Sequence, residues 1–119
     1  MRMAQLTLMV NNLEKSIEFH ETTTELTISR RFKAGPREIA FLTNADGETE
    51  VELVSMPQGQ KFEGKSLIVC FETDNLDAIQ DLSKARGLNP SDIRNPDAKN
   101  RYFYVYDPNG VSVEIKQKI

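Results

Sequence analysis

The feature that most constrains this chain is an internal repeat. Around Asp107-Pro108-Asn109-Gly110 two alternating, β-prone runs, Arg101 to Tyr106 and Val111 to Lys116, read as a hairpin. Pro108 presets φ for the turn and Gly110 accepts the backbone angle that closes it. Glu114 then stands as a carboxylate in an otherwise apolar strand. The same arrangement occurs earlier, from Ile39 to Val54, with Gly47 in the turn and Glu52 beyond it. Gly47 and Gly110 are 63 positions apart, and that offset also lays Ala40-Phe41-Leu42 on Phe103-Tyr104-Val105 and Asn12-Leu13 on Asn75-Leu76. Past the turn the offset is 62, which places Val51-Glu52-Leu53 on Val113-Glu114-Ile115 at the expense of one deletion. Only two copies of so long a period fit, so the chain is a doubled supersecondary unit and not a solenoid.

Each copy reads as β-α-β-β-β. Gln5 to Val10 alternates Gln5, Thr7 and Met9 against Leu6, Leu8 and Val10, a strand with one apolar and one mixed face. Asn11 or Asn12 caps the following helix, which carries Leu13, Ile17 and His20 on one stripe and ends within Thr22-Thr23-Thr24. A strand is expected from Leu26 to Phe32, broken by Ala34-Gly35-Pro36 before the first hairpin. The second copy opens with a strand from Leu67 to Phe71. A helix follows from Asn75, with Leu76, Ile79 and Leu82 inward and a stop at Gly87. Leu88 to Asp97, interrupted by Pro90 and Pro96, has room only for a short edge strand. The expectation is one domain over 1–119, made of modules at about 1–56 and 66–119 and joined by a connector at 57–65.

At 119 residues the chain has one domain's worth of core, and 39% hydrophobic with 28% charged residues is ordinary for a soluble globular protein. A net charge of -3 with mixed signs makes no case for nucleic acid or an anionic membrane as partner. Cys70 is the only cysteine, which excludes an internal disulfide and a multi-thiolate zinc site. With no signal peptide and no membrane span in the sequence, a cytoplasmic location is expected.

The repeat pairs Gln5 with Ile68 and Glu52 with Glu114, each on corresponding strands. Packed about a pseudo-twofold, four such side chains would converge in the manner of a metal cage. Together with the runs Asn12 to Phe19, Phe71 to Ala78 and Tyr102 to Ile115, these positions make the chain resemble the vicinal oxygen chelate superfamily. That group holds glyoxalase I, bleomycin-resistance proteins, methylmalonyl-CoA epimerase and extradiol dioxygenases. The resemblance implies an α+β fold in which two βαβββ modules form a cup-shaped mixed sheet around a cavity. It also implies that metal-dependent members draw ligands from the positions of Gln5, Glu52, Ile68 and Glu114. Some glyoxalases use Gln at the first of these, but the aliphatic Ile68 has no lone pair to donate.

The metal set is therefore the incomplete Gln5, Glu52 and Glu114, all oxygen donors, better suited to Mg or Mn than to Zn, Ni or Fe. No cofactor is expected, with a divalent metal as the alternative. A further departure is Thr24-Glu25-Leu26, where the family commonly has Leu-Gly-Leu. Cys70 reads as a small half-buried thiol, His20 as a packing or surface-edge residue, and Tyr102, Tyr104 and Tyr106 as aromatic packing within a sheet or interface.

Three functions compete. The reading preferred is a superfamily protein that binds a small molecule in the cavity, lined by Thr7, Met9, Ile68 and Cys70. The alternative is a metal-dependent lyase or isomerase resembling glyoxalase I (lactoylglutathione lyase), with Glu52 or Glu114 as the catalytic carboxylate that shuttles a proton through an enediolate. The third is an interaction module that kept the scaffold and lost the chemistry. The resemblance also implies a homodimer, formed by packing or by exchanging modules at the connector.

Overall fold

The computed structural model describes residues 1–56, 58, 61–64 and 66–118. The expected connector at 57–65 thus lies partly outside the described residues. The chain divides into two compact units, Met1–Lys61 and Phe62–Ile119. The first contains β1 (Gln5–Val10), α1 (Leu13–Thr22), β2 (Thr27–Ala34), β3 (Arg37–Thr43) and β4 (Glu50–Ser55). The second contains β5 (Ile68–Glu72), α2 (Leu76–Ala85), β6 (Arg94–Asp97), β7 (Asn100–Tyr106) and β8 (Ser112–Lys118). Each unit is a four-stranded mixed sheet with one helix, in the orders β1-β4-β3-β2 and β5-β8-β7-β6. β1 runs parallel to β4 and β5 to β8, and the remaining pairings are antiparallel.

In the first unit the apolar parity of the strands is buried with the apolar stripe of α1: Leu8, Val10, Ala40, Leu42, Val51 and Leu53 with Leu13, Ile17 and Phe19. Alternation puts the other parity on the face turned away from the helix. Asn12 caps α1 by accepting from the Lys15 N–H at 3.1 Å. The helix closes with Thr23 N–H donating to Phe19 O (2.7 Å) and Leu26 N–H to His20 O (3.0 Å). Glu25 occupies the left-handed region there, at φ 60°, in the place that glycine fills most cheaply. The corner thus turns without the glycine of the family pattern.

His20 is buried, packed edge-on against Phe19 with ring centroids 5.1 Å apart. Its Nδ1 lies 3.1 Å from Thr24 Oγ1, whose own proton goes to His20 O at 2.7 Å, so Nδ1 carries the hydrogen between them. Burial lowers its pKa to about 4. His20 is therefore a core residue and not an edge one.

β2 extends to Ala34, two residues past the expected end, because Gly35-Pro36 forms a two-residue hairpin loop with Gly35 at φ 64°. Arg31 on this edge strand bridges Glu14 of α1 and Glu38 of β3.

In the second unit Phe103, Val105, Val113 and Ile115 pack with Leu76 and Ile79 of α2. Leu82, expected inward, is 41% exposed. The buried stripe instead runs through Leu76, Ile79, Gln80 and Ser83, the i, i+3, i+4, i+7 positions of one face. The polar members are satisfied locally: Gln80 Nε2 donates to Ser91 O at 2.9 Å and Ser83 Oγ to Ile79 O at 2.8 Å. Leu67 is exposed, and β5 begins one residue later than expected. β6, with Pro96, is an edge strand. Asp107 organises the closing turn, its Oδ1 accepting from the N–H groups of Asn109 (2.9 Å) and Val111 (2.8 Å). Burial pushes its carboxyl up despite those bonds. Phe62 is seated against this turn, its N–H donating to Asn109 O at 2.9 Å.

Candidate ligand site

The repeat holds at the level of strand register. In the first unit Glu52 stands between Thr7 of β1 and Phe41 of β3. In the second, Glu114 stands between Cys70 of β5 and Tyr104 of β7. These are the same places under the offsets of 63 and 62. Each carboxylate is thus held mid-sheet, half-buried, on the face turned away from the helix.

The two surroundings differ. Glu52 Oε1 accepts from Gln5 Nε2 at 2.8 Å and from Thr7 Oγ1 at 2.6 Å. Met9 follows along β1, 40% exposed. Beyond Glu52, Phe41 stacks with Phe32 at 6.2 Å, and the Arg30 guanidinium lies 4.0 Å from the Phe41 ring centroid. Arg30 also pairs with Glu50 at 3.3 Å, and Ser29 Oγ donates to Glu50 at 2.9 Å. On this face the charges and donors are largely matched to one another.

Around Glu114 the positions of Gln5 and Thr7 are held by Ile68, 49% exposed, and by Cys70, an exposed residue where a half-buried one was expected. The Cys70 thiol reaches only the Phe71 carbonyl, at 3.9 Å. Among the described residues no hydrogen bond or ion pair meets the Glu114 carboxylate. Burial pushes the Cys70 thiol up, Glu114 and Glu72 add to this, and Lys116 opposes it. Burial likewise raises the Tyr104 phenol, reinforced by Glu114 and Tyr102 and opposed by Arg94. Tyr102 and Tyr104 meet edge to face with centroids 5.5 Å apart, and Tyr106 is exposed.

Neither unit by itself supplies a full ligand set for a divalent metal. The first offers Gln5 and Glu52, with the Gln5 amide presenting its nitrogen to the carboxylate. The second offers Glu114 beside an aliphatic chain and a thiol held protonated. Among the described residues no group of three His, Cys, Asp or Glu forms a metal cluster.

The structure brings Gln5, Thr7 and Glu52 together, with Met9 on the same parity of β1. It also brings Ile68, Cys70 and Glu114 onto one face of the second sheet. Sequence reasoning missed the Phe41, Phe32 and Arg30 group and the Thr7 bond to Glu52. The repeat aligns Phe41 with Tyr104 and Thr7 with Cys70, but that these flank the two glutamates follows only from the strand register.

With this geometry in view, the match to a known family is direct. The model of the glyoxalase/bleomycin resistance protein/dioxygenase superfamily matches residues 2–115, and the chain belongs to that superfamily. No curated protein matches it in sequence. Among solved structures, it is similar to TnmS3, an antibiotic binding protein from Streptomyces sp. CB03234 (TM-score 0.78, 19% identity, 100% of this chain and 97% of that one). It is also similar to the fosfomycin resistance protein FosX of Listeria monocytogenes, solved with Mn(II) and a dihydroxypropylphosphonic acid (0.77, 16%, 94% and 88%). A third similar structure is the trypanothione-dependent glyoxalase I of Leishmania major (0.78, 16%, 97% and 85%). At these identities the likeness is one of fold. No helix among the described residues is long and apolar enough to cross a membrane.

Proposed function

We propose that this protein binds a small molecule on the helix-free face of its sheets, with a metal site that has degenerated. The observation that carries the reading is Ile68 in the place that a donor would need, beside a glutamate flanked by Cys70 and Tyr104. An apolar and aromatic surface with a few polar groups is the usual make-up of a small-molecule site. A fold shared with an antibiotic binding protein is consistent with it. Thermal shift against cationic antibiotics and aromatic metabolites tests the reading. A ligand present at about 100 times its Kd stabilises by about 2.7 kcal/mol, and no stabilisation by any compound counts against it.

The second reading is a glyoxalase-type lyase or isomerase. It is supported by the two glutamates kept at equivalent mid-sheet places, Glu52 beside Thr7 and Glu114 beside Cys70, in a fold shared with a glyoxalase I. In that reading Glu52 or Glu114 moves the substrate proton, and a divalent metal would supply the polarisation of the substrate oxygens. An assay with methylglyoxal and glutathione, with Ni, Zn or Mn added, separates the two readings, since turnover belongs to this one alone. We further propose a cytoplasmic homodimer, supported by apolar side chains left exposed at Phe32 and Leu67 and by the single free thiol of Cys70. Sedimentation equilibrium reporting a monomer at micromolar concentration would remove the dimer.

A further inference from the structure

We infer that Glu114 is the anchor of the ligand site and that the group it takes is an organic ammonium carried on an aromatic or apolar body. This rests on the small-molecule reading above and names its ligand class.

The argument comes from the broken symmetry of the repeat. A half-buried carboxylate in the middle of a sheet needs donors, because the water it loses there must be replaced. In the first copy Gln5 and Thr7 supply them, at 2.8 and 2.6 Å. In the second copy Ile68 and Cys70 have removed both while the glutamate was kept. Among the described residues nothing replaces those donors, which leaves the place beside Glu114 open to a group from outside the chain.

Three features select a cation over a neutral donor. Among the described residues the charged groups of this face leave Glu114 without an ion pair: Glu72 is paired with Lys118 at 3.8 Å, Lys116 stands opposite Glu72 in the ladder, and Arg94 stands opposite Tyr102. At both Cys70 and Tyr104, Glu114 is the leading charge, ahead of Lys116 at the one and Arg94 at the other. Finally, Tyr104 flanks the carboxylate with Tyr102 packed edge to face on it, and aromatic rings beside a carboxylate favour an ammonium through their negative faces. Ile68, half exposed on the opposite side, offers the hydrocarbon wall for the rest of the ligand.

The test compares phenethylamine with its neutral isostere 2-phenylethanol on the full chain by calorimetry. The amine is expected to bind at least about 10-fold more tightly, the scale of one charge-assisted contact. Glu114→Gln should abolish that preference. Ile68→Gln, which restores the first copy's donor and occupies the carboxylate, removes hydrocarbon from both ligands alike and should therefore narrow the preference for the amine over the alcohol by about 3-fold or more. Glu21→Gln, an exposed helix residue, controls for net charge and should change neither. If both compounds bind equally, or if Glu114→Gln keeps the preference, the inference falls and the small-molecule reading stands. If neither compound binds and the wider panel also fails, both fall.

Discussion

The two modules share a fold and a register but not a polar economy. In the first, the central carboxylate Glu52 is held by Gln5 and Thr7, and the neighbouring Arg30 is matched by Glu50 and the Phe41 ring. In the second, the equivalent Glu114 has an isoleucine and a cysteine where those donors stood. The difference teaches where selection on folding ends. A self-satisfied polar group stabilises its own module, whereas an unsatisfied one is tolerated only where something else completes it.

The largest expected effect concerns the turns. Gly47 and Gly110 both have positive φ, 84° and 91°, but a Cβ on Gly47 meets nothing within 4 Å while one on Gly110 would lie 2.6 Å from Phe62 O. Gly110→Ala should destabilise by about 4 kcal/mol and Gly47→Ala by about 1.5 kcal/mol in denaturant unfolding. Equal costs would show that the seat of Phe62 on the second turn contributes nothing.

Next is acid stability. His20 has Ser83 as its equivalent in the second module, so a pH dependence from this position belongs to the first module alone. Its folded pKa of about 4 lies below the ordinary value of 6.5, so the unfolded chain binds the proton first. Its contribution is therefore complete above about pH 6.5 and is lost as the pH falls toward 4, by about 3 kcal/mol in all. Hydrogen exchange of α1 amides between pH 7 and pH 4 should show this loss, and α2 amides should not.

A smaller effect is expected at the helix ends. α2 is followed by Gly87 at φ 73°, α1 by Glu25 at φ 60°. Glu25→Gly should raise stability by about 1 kcal/mol, and a loss would mean that the Glu25 side chain matters more than its backbone strain. The smallest pair exchanges the glutamate neighbours. Thr7→Val should cost about 1 kcal/mol by leaving Glu52 a single donor, and Cys70→Thr should gain about 0.5 kcal/mol by giving Glu114 one. Thermal melts of both variants check this, and a destabilising Cys70→Thr would break the comparison at its centre.

Much of the architecture was legible because the repeat carries it. Gly47 and Gly110 set the hairpins, the spacing from them fixed Glu52 opposite Phe41 and Glu114 opposite Tyr104, and Pro96 marked an edge strand. Leu82 was misjudged because the burial of Gln80 and Ser83 depends on acceptors at Ser91 and Ile79, which hydrophobic periodicity does not register. The candidate site was half legible. Parity put Gln5, Thr7 and Met9 on one face, but the bond from Thr7 to Glu52 follows from the parallel pairing of β1 with β4, a contact across 45 positions that no local pattern encodes. The aromatic group at Phe32 and Phe41 was hidden for a related reason, since Phe32 sits on a strand whose register shifts at a bulge between Ile28 and Arg30.

The most direct test is a map of backbone amide shifts during titration of the full chain with phenethylamine. The account predicts that the largest changes fall on Cys70, Tyr104 and Glu114, with Thr7, Phe41 and Glu52 nearly still. Changes concentrated on the first module's strands instead would contradict it.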